Sequence, residues 1–364
     1  MSAETFVFLG SARCFHTIDW YDSAEITLGY APYFIADQIN GEGFPCLVKD
    51  QSKILPLLKL DKILFKSQSR FSHNWRNILK IFVIPLQIII LRWYNYRLNT
   101  PVFFAHSTYY SFLAHLAGIK YISTPQGSEV LVRPDRSKVY RWFAKIAHKS
   151  AEMVTVDSAA MEKKLMLLFN QKSIIIQNGI DMKRLRPRVH KEEKPREIIL
   201  SLRGMQENYQ IIKILDERNS LSQKLNLNFC FPFHDEDYLL KFKTQLLPSD
   251  VLHGRLSKIE LYELLRQTKI VISIPKSDSS PRSVYEAIFF GCIVIAINND
   301  YINALPEMMR ERIVITDCQP GWLSLAVKEA ELRLSNKFEP KECVVNLFDQ
   351  EYSIKRVLEA YEVN

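Results

Sequence analysis

The chain has 364 residues, 47% of them hydrophobic and 24% charged, with a formal net charge of +8 and a pI of about 9.0. This composition excludes an intrinsically disordered chain, and the length predicts two domains. The six cysteines form no Cys-x-x-Cys pair, which predicts reduced cytoplasmic thiols, and no charged start precedes a long apolar stretch, so no signal peptide is expected.

The first part of the chain, residues 1–185, alternates short apolar runs with helical stretches such as 109–117 and 158–169. This alternation predicts a parallel α/β domain. The predicted strands are residues 6–9, 102–105, 120–123, 153–156 and 173–176.

Residues 53–97 are unusually basic, with nine Lys and Arg against one acid, Asp61, and with aromatic residues interleaved. Within them, residues 81–91 are apolar apart from Gln87, are interrupted by Pro85, and are too short to span a bilayer. Two interpretations stay open: a segment that lies on an anionic membrane surface, or a core helix with basic flanks. No nucleic-acid-binding module accompanies this charge, so no nucleic-acid partner is expected.

A charged run containing Pro187 and Pro195 predicts an interdomain linker over residues 186–197. A second alternating series predicts another parallel domain over residues 198–345. Its predicted strands are residues 198–202, 228–231, 251–252, 270–274, 292–297 and 312–315. Residues 346–364 are predicted to contain a closing amphipathic helix over residues 350–363, which could return to the first domain.

Residues 270–297 are predicted to form a strand, a polar loop, a short helix and a second strand. Ser280 is predicted to cap the helix, with Pro281 at its first position. The helix start would then present the N–H groups of Arg282 and Ser283 and several serine hydroxyls beside the positive end of the helix dipole. Such a site suits phosphate.

Charged residues surround this predicted helix start. Lys276 and Arg282 flank it with positive charge, while Asp278 in the loop and Glu286 on the helix are eight positions apart. Two carboxylates so placed can bind hydroxyl groups on both sides of a diphosphate. A capped surface helix with solvated acids is the alternative interpretation of the same pattern.

Two consecutive Rossmann-like domains would bind ligands where their strands end, facing a cleft between them. Arg203 follows the first strand of the second domain, where a guanidinium could bind a diphosphate in a bidentate manner. Gly254, Arg255 and Leu256 follow its third strand and suit backbone contacts to a nucleotide base. Polar or small residues near strand ends of the first domain are Gly10, Ser11, His16, His106, Ser107, Gln126, Gly127, Ser128 and Glu129.

The segment SDSSPRSVYEAIFFGCIVIAI resembles the donor-site motif of retaining GT-B glycosyltransferases of family 4, in which two acids separated by seven residues bound a phosphate-binding turn. Asp278 and Glu286 occupy those two positions. Further segments resemble the family in the expected order along most of the chain: FLGSARCFHTIDW, TPQGSEVLV, IIIQNGIDMKRLRP, IILSLRG and ALPE. The resemblance implies a GT-B fold, an α/β architecture whose first domain binds the acceptor and whose second binds a nucleotide sugar.

The resemblance also implies roles for individual residues. Glu286 would bind the ribose of the nucleotide, and Asp278 would contact hydroxyls of the donor sugar. Arg203 would neutralise the diphosphate leaving group with help from the amides of Arg282 and Ser283, because charge grows there as the sugar–phosphate bond breaks.

Four positions depart from the family pattern. The first acid is Asp278 rather than the usual glutamate, and Pro281 occupies a position often held by glycine. Gln126 stands where the family often has histidine, so a catalytic or sugar-positioning histidine would have to be His16 or His106, or is unnecessary. The lysine usually found a few residues after the arginine is absent, and Lys276 or Lys213 is the candidate to supply that charge.

The activity that the resemblance implies is retaining transfer of a sugar from a UDP- or GDP-linked donor to a carbohydrate or lipid-linked acceptor, in surface-polysaccharide assembly. No metal or further cofactor is expected, and Asp235, Glu236 and Asp237 are interpreted as a solvated helix start rather than as metal ligands. The expected location is cytoplasmic, with peripheral association at the inner membrane face. The alternatives are an epimerase or phosphorylase of the same fold and a non-catalytic scaffold that binds membranes or polyanions.

Overall fold

The computed structural model describes residues 5–12, 14–36, 51–57, 72–189 and 196–363. Its strands are β1 (Phe6–Gly10), β2 (Tyr33–Ala36), β3 (Ile54–Pro56), β4 (Val102–His106), β5 (Tyr121–Thr124), β6 (Met153–Val156), β7 (Ile174–Ile175), β8 (Ile198–Ser201), β9 (Asn228–Cys230), β10 (Val251–Gly254), β11 (Thr268–Ser273), β12 (Ile293–Ile297) and β13 (Ile313–Thr316). Its helices are α1 (Phe15–Leu28), α2 (Ser72–Arg97), α3 (Thr108–Ala117), α4 (Gly127–Leu131), α5 (Arg133–Arg136), α6 (Lys138–Lys149), α7 (Ala159–Phe169), α8 (Met182–Val189), α9 (Ile211–Ser220), α10 (Glu236–Lys243), α11 (Lys258–Arg266), α12 (Arg282–Phe289), α13 (Asp300–Asn303), α14 (Glu307–Arg310), α15 (Trp322–Arg333), α16 (Glu342–Phe348) and α17 (Gln350–Val363). Short 3-10 turns lie at Gln51–Lys53 and Glu207–Tyr209.

These elements form two compact units. Unit 1 contains Met1–Asn178 and Gln350–Asn364, and unit 2 contains Gly179–Asp349. The helix α17 therefore belongs to unit 1, where it packs against α1. The hydroxyl of Ser353 on this helix donates a 2.8 Å hydrogen bond to the carbonyl of Gln177.

The division between the units differs from the predicted domain boundary at residue 185. Residues 179–185 belong to unit 2, because Ile180, Met182 and Leu185 are buried in its hydrophobic core. Of the predicted linker, residues 186–189 are the end of α8, and residues 190–195 lie outside the described residues.

Within the described residues of unit 1, seven parallel strands form a sheet in the order β3-β2-β1-β4-β5-β6-β7. The order reverses between β1 and β4, so the loops that follow these two neighbours diverge and leave a crevice at their carboxyl ends. Phe8 of β1 lies opposite Phe34 on one side and Phe104 on the other. The strands are apolar runs with both faces covered, as parallel strands require.

Helices cover the two faces of this sheet with separate hydrophobic clusters. On one face α1 and α17 contribute Trp20 and Val357 to the cluster around Phe8. On the other face α2 and α3 contribute Leu91 and Leu113 to the cluster around β1, β4 and β5. Neighbouring residues of one strand thus join opposite cores, which follows from the alternation of side chains along a strand.

The helix α2 runs without a break through Pro85, the residue that interrupts the apolar stretch 81–91. A proline within a helix removes one backbone hydrogen bond and costs about 3 kcal/mol. Packing on both sides of the proline offsets this, because Ile84, Ile88 and Leu91 contact the core of unit 1. Residues 58–71 of the predicted basic segment lie outside the described residues, and no helix within the described ranges is long and apolar enough to cross a membrane.

In the described residues of unit 2, six parallel strands form a sheet in the order β10-β9-β8-β11-β12-β13. Its central strands are apolar on both faces. Val271 of β11 pairs with Leu200 and Val294 and lies in one cluster, whereas Ile270 and Ile293 lie in the cluster on the opposite face. The order reverses between β8 and β11, which creates a second switch point.

Candidate functional site

The switch point of unit 2 brings together residues that are distant in sequence. After β8 the chain continues to β9 on one side, and after β11 it continues to β12 on the other. Arg203 lies just beyond the end of β8 and Asp278 lies in the loop beyond β11. In open parallel sheets the crevice between two such diverging loops is where ligands bind.

Arg203 and Asp278 form an ion pair in this crevice, and both side chains are largely buried. The guanidinium also donates a 3.0 Å hydrogen bond from Nη1 to the hydroxyl of Ser283 on α12, and it lies 4.7 Å from the ring centre of Tyr209. Burial lowers the pKa of Arg203, but the charge and hydrogen bond of Asp278 together with Tyr209 and Tyr301 raise it by more, so the group stays a cation. A positive charge is therefore held at the start of α12.

The loop that carries Asp278 is anchored by the loop that follows β8. The amide of Lys276 donates to the carbonyl of Asn208 at 2.7 Å, and the side chain of Asn208 donates to the carbonyl of Ser277 at 3.0 Å. The ammonium of Lys276 pairs with Glu207 at 2.8 Å. Asn208, which stands a few residues after Arg203 where the family usually has lysine, thus connects the two loops, and the charge of Lys276 is directed at Glu207.

The helix α12 begins one residue later than the sequence predicted. Pro281 is the N-cap rather than the first helical residue, because its backbone is not helical, and its carbonyl accepts from the amides of Val284 and Tyr285. Ser280 is therefore not the N-cap residue, and its hydroxyl accepts a 3.4 Å hydrogen bond from the hydroxyl of Tyr285. Arg282, predicted to flank the helix start, is buried.

Glu286 lies one turn further along α12 and is only 1% exposed. Its Oε1 atom accepts from the ammonium of Lys258 at 2.5 Å and from the hydroxyl of Tyr262 at 3.0 Å. Among the described residues no group donates a hydrogen bond to its Oε2 atom. A buried carboxylate oxygen without a donor is costly, so this atom is well suited to accept a hydroxyl from a ligand.

Three site residues were missed by the sequence analysis. Lys258 and Tyr262 are four positions apart on α11, whose Ser257–Glu260 capping box was a usable signal for the helix start. Tyr301, at the start of α13, has a buried hydroxyl that forms no hydrogen bond within the described residues. Burial and the charge of Asp278 raise the pKa of Tyr301, so it stays a neutral donor.

Gly254 ends β10, and Arg255 and Leu256 follow it, two strands away from β8 at the same edge of the sheet. Gly254 has a φ of +65°, a left-handed conformation that suits glycine. Arg255 is exposed, and Leu256 packs against the cluster that contains Tyr262 and Val284. Their role in binding a nucleotide base stays a prediction.

The fold was compared with known proteins. No known protein family and no curated protein sequence matches this chain. Among solved structures, HepE of Anabaena in complex with UDP and glucose matches with a TM-score of 0.71 at 10% identity, over 99% of this chain and 100% of that one. Sucrose-phosphate synthase of Thermosynechococcus elongatus matches with a TM-score of 0.72 at 11% identity over 99% and 98%. A glycosyltransferase of Rickettsia africae matches with a TM-score of 0.67 at 16% identity, again over 99% and 98%.

These structures share the two-domain GT-B architecture. The chain has the GT-B fold. The fold class predicted from the sequence is confirmed, and the Arg203–Asp278 pair and Glu286 lie in the second Rossmann-like unit of this GT-B chain.

In the first GT-B unit, the predicted residues lie around the switch point between β1 and β4. Gly10 ends β1 and Ser11 follows it, and a side chain at Gly10 would meet the Cγ2 atom of Thr17 at 2.5 Å, which favours glycine there. His106 ends β4 and packs against the rings of Trp20 and Phe104. His16 lies in the first turn of α1. The catalytic role of either histidine stays a prediction.

Gly127, Ser128 and Glu129 form the first turn of α4, with Gln126 as the N-cap. The buried Oε2 atom of Glu129 accepts from the amide of Thr108 at 2.9 Å and from the amide of Gln126 at 3.0 Å. This carboxylate therefore ties α3 to α4 within the unit. The acceptor-side role predicted for the three residues stays a prediction.

Proposed function

We propose that this protein is a glycosyltransferase that binds a UDP- or GDP-linked sugar in unit 2 and transfers the sugar to a carbohydrate or lipid-linked acceptor. The observation that carries the proposal is the cluster at the start of α12. The buried cation Arg203 contacts Ser283 in the first turn of α12. The buried carboxylate oxygen Oε2 of Glu286 lies one helical turn further along the same helix. A nucleoside diphosphate has the matching groups, an anionic diphosphate and a ribose diol.

The contacts of Arg203 support a role in stabilising the leaving group. Its guanidinium contacts both Asp278 and Ser283. A bound diphosphate would take over part of the guanidinium, and Asp278 would then accept hydroxyls of the donor sugar. As the sugar–phosphate bond breaks, negative charge accumulates on the diphosphate beside a cation already in position, which lowers the barrier without reorganisation.

Glu286 is arranged to bind the ribose. Lys258 and Tyr262 hold its Oε1 atom, which fixes the orientation of the carboxylate and leaves Oε2 as the acceptor. Tyr262 is a neutral donor, because burial and the charge of Glu286 raise its pKa. The neutral hydroxyl of Tyr301 is a further donor. It lies near Asp278 and Arg203, because the charges of both residues affect its pKa.

The finer parts of the proposal concern stereochemistry and context. Retention by front-face attack needs no protein nucleophile, and the acceptor oxygen would attack on the side from which the diphosphate leaves, where Arg203 lies. One similar structure is described as a lipopolysaccharide outer core galactosyltransferase, at a TM-score of 0.61 and 11% identity. That description supports surface-polysaccharide assembly as the context that we propose.

Screening UDP- and GDP-linked sugars by thermal unfolding tests the proposal. A donor present at about 100 times its Kd stabilises a protein by about 2.7 kcal/mol, which for a unit of this size raises the melting temperature by about 5–10 °C. With that donor, NMR of the transferred sugar, or of the hydrolysed sugar before it mutarotates, should show the donor's anomeric configuration. Absence of stabilisation by every nucleotide sugar would contradict donor binding, and an inverted product would contradict retention alone.

A further inference from the structure

The helix α2 has a second apolar face that the core of unit 1 does not use. Its inner face, which includes Ile84, Ile88 and Leu91, packs against the core cluster. On the outer face, apolar residues recur at alternating spacings of four and three positions and are exposed: Phe82, Leu86, Ile89, Trp93 and Tyr96. Phe82 is 74% exposed and Tyr96 is 83% exposed, which is unusual for large apolar side chains in a regular pattern.

The helix α6 likewise has a buried inner face and exposed apolar residues on its outer face, in smaller number. Its inner residues Ala144 and Ala147 are buried, whereas Val139 and Trp142 are exposed at 76% and 61%. Lysines that are also exposed occur along this outer side at Lys138, Lys145 and Lys149. Lys138, Trp142, Lys145 and Lys149 are spaced by four, three and four positions, so they form one stripe along the helix.

The two helices belong to one layer because both pack against α3. On one side, Arg92 of α2 donates to the carbonyls of Ala117 and Leu116 at the end of α3. On the other side, the rings of Phe112 of α3 and Phe143 of α6 lie 4.4 Å apart. We call the exposed apolar residues of these two helices the α2/α6 surface: Phe82, Leu86, Ile89, Trp93, Tyr96, Val139 and Trp142.

The charge around the α2/α6 surface is positive. The described side chains of α2, residues 81–97, include Arg92 and Arg97 and no acid, and residues 133–149 contain six Lys and Arg and one acid, Asp135. Asp135 is itself paired with Lys164 at 2.7 Å. A second copy of this chain, docked face to face, would bring like charges together, whereas an anionic lipid surface complements them.

We propose that the α2/α6 surface lies on an anionic membrane, with its aromatic rings at the level of the lipid headgroups. Tryptophan and tyrosine favour this interfacial depth, and basic residues beside them are attracted to anionic lipid. Arg97 lies 5.1 Å from the ring centre of Trp93, so a cation lies directly beside a ring that would enter the lipid headgroup layer. This inference extends the predicted membrane contact of residues 53–97 to α6, and it does not rest on the proposed donor site.

Sedimentation with lipid vesicles tests this proposal without any sugar donor. The full chain should bind vesicles of phosphatidylcholine and phosphatidylglycerol, bind pure phosphatidylcholine less, and lose affinity as salt is raised. Trp93→Glu and Trp142→Glu should each lower the vesicle affinity about tenfold, because each removes an anchor and adds a repelled charge. Both side chains are exposed, so the melting temperature should not change.

Leu332→Glu provides the matched control, because Leu332 is 79% exposed on α15 of unit 2. This variant should bind vesicles as the unchanged protein does. The proposal is overturned if the variant with both tryptophans replaced still binds anionic vesicles with full affinity, or if neutral vesicles bind equally well. It is also overturned if sedimentation velocity shows a dimer that the same two substitutions dissociate, since a second copy would then cover the surface.

Discussion

Replacing Arg203 with alanine is expected to lower kcat/KM with the competent donor by about 100- to 1,000-fold. Loss of one preorganised donor to a developing anion raises the barrier by about 3–4 kcal/mol. Arg203 is the cation that the structure holds at the start of α12, through Ser283 and Asp278. Steady-state release of the nucleoside diphosphate is the measurement.

Arg203→Lys separates charge from geometry. Lysine keeps the positive charge but cannot bind Ser283 and a phosphate as a planar fork. We therefore expect its turnover to lie between that of the unchanged protein and that of Arg203→Ala. Because both side chains of the pair are largely buried, removal of the guanidinium is expected to lower the melting temperature as well, so turnover is measured well below the unfolding transition of each variant. Full turnover by Arg203→Ala would remove this residue from the mechanism.

Replacing Asp250 with alanine is expected to lower the free energy of unfolding of unit 2 by about 3–5 kcal/mol. Asp250 accepts from Arg218, at 2.7 Å to Nη1 and 2.9 Å to Nη2, and both side chains are fully buried. Its oxygens also accept from the amides of Leu227 and Leu247. The substitution leaves a buried guanidinium without its counter-charge, and chemical denaturation measures the loss.

Two further variants interpret that result. In Arg218→Met with Asp250→Leu, no charge stays buried, so about half of the lost stability should return, although the amides of Leu227 and Leu247 still lack an acceptor. Glu359→Ala breaks the exposed pair with Lys355 and should leave the unfolding midpoint unchanged. If Asp250→Ala unfolds at the same denaturant concentration as Glu359→Ala, the buried pair does not stabilise unit 2.

The alternation of strands and helices was predictable because parallel strands are short continuous apolar runs. The strands β1, β4 and β6 and the helix α17 lie within a residue of their predicted bounds. The strands β2 and β3 were not predicted, since YFIA and ILP are too short to show a pattern and β3 ends in a proline. Pairing with β1 and β2, which only the folded sheet supplies, makes them strands.

The candidate site was predictable only where the residues lie in one segment. Asp278 and Glu286 belong to one loop and the helix that follows it. Arg203 was predicted to lie near them because it directly follows a strand of the same predicted sheet. Lys258 reaches Glu286 across 28 positions of sequence, a contact that depends on the packing of α11 beside α12. A sequence pattern does not show which residues such packing brings into contact.

The outer face of α2 shows a similar limit. Its composition predicted either a core helix or a membrane-facing segment, and the structure has core packing on the inner face and exposed aromatics on the outer face. A helix with two apolar faces satisfies both patterns at once, so the sequence could not choose between them.

Calorimetric titration of the competent nucleotide sugar into the unchanged protein and into Glu286→Gln tests the central claim most directly. If Oε2 of Glu286 accepts the ribose hydroxyls, the substitution should weaken binding by about 10- to 100-fold, the loss of a hydrogen bond to a charged group, at a nearly constant melting temperature. Glu339→Gln, an exposed acid elsewhere on unit 2, should leave the affinity unchanged. Equal affinity of Glu286→Gln and the unchanged protein would contradict a nucleotide-sugar site at α12.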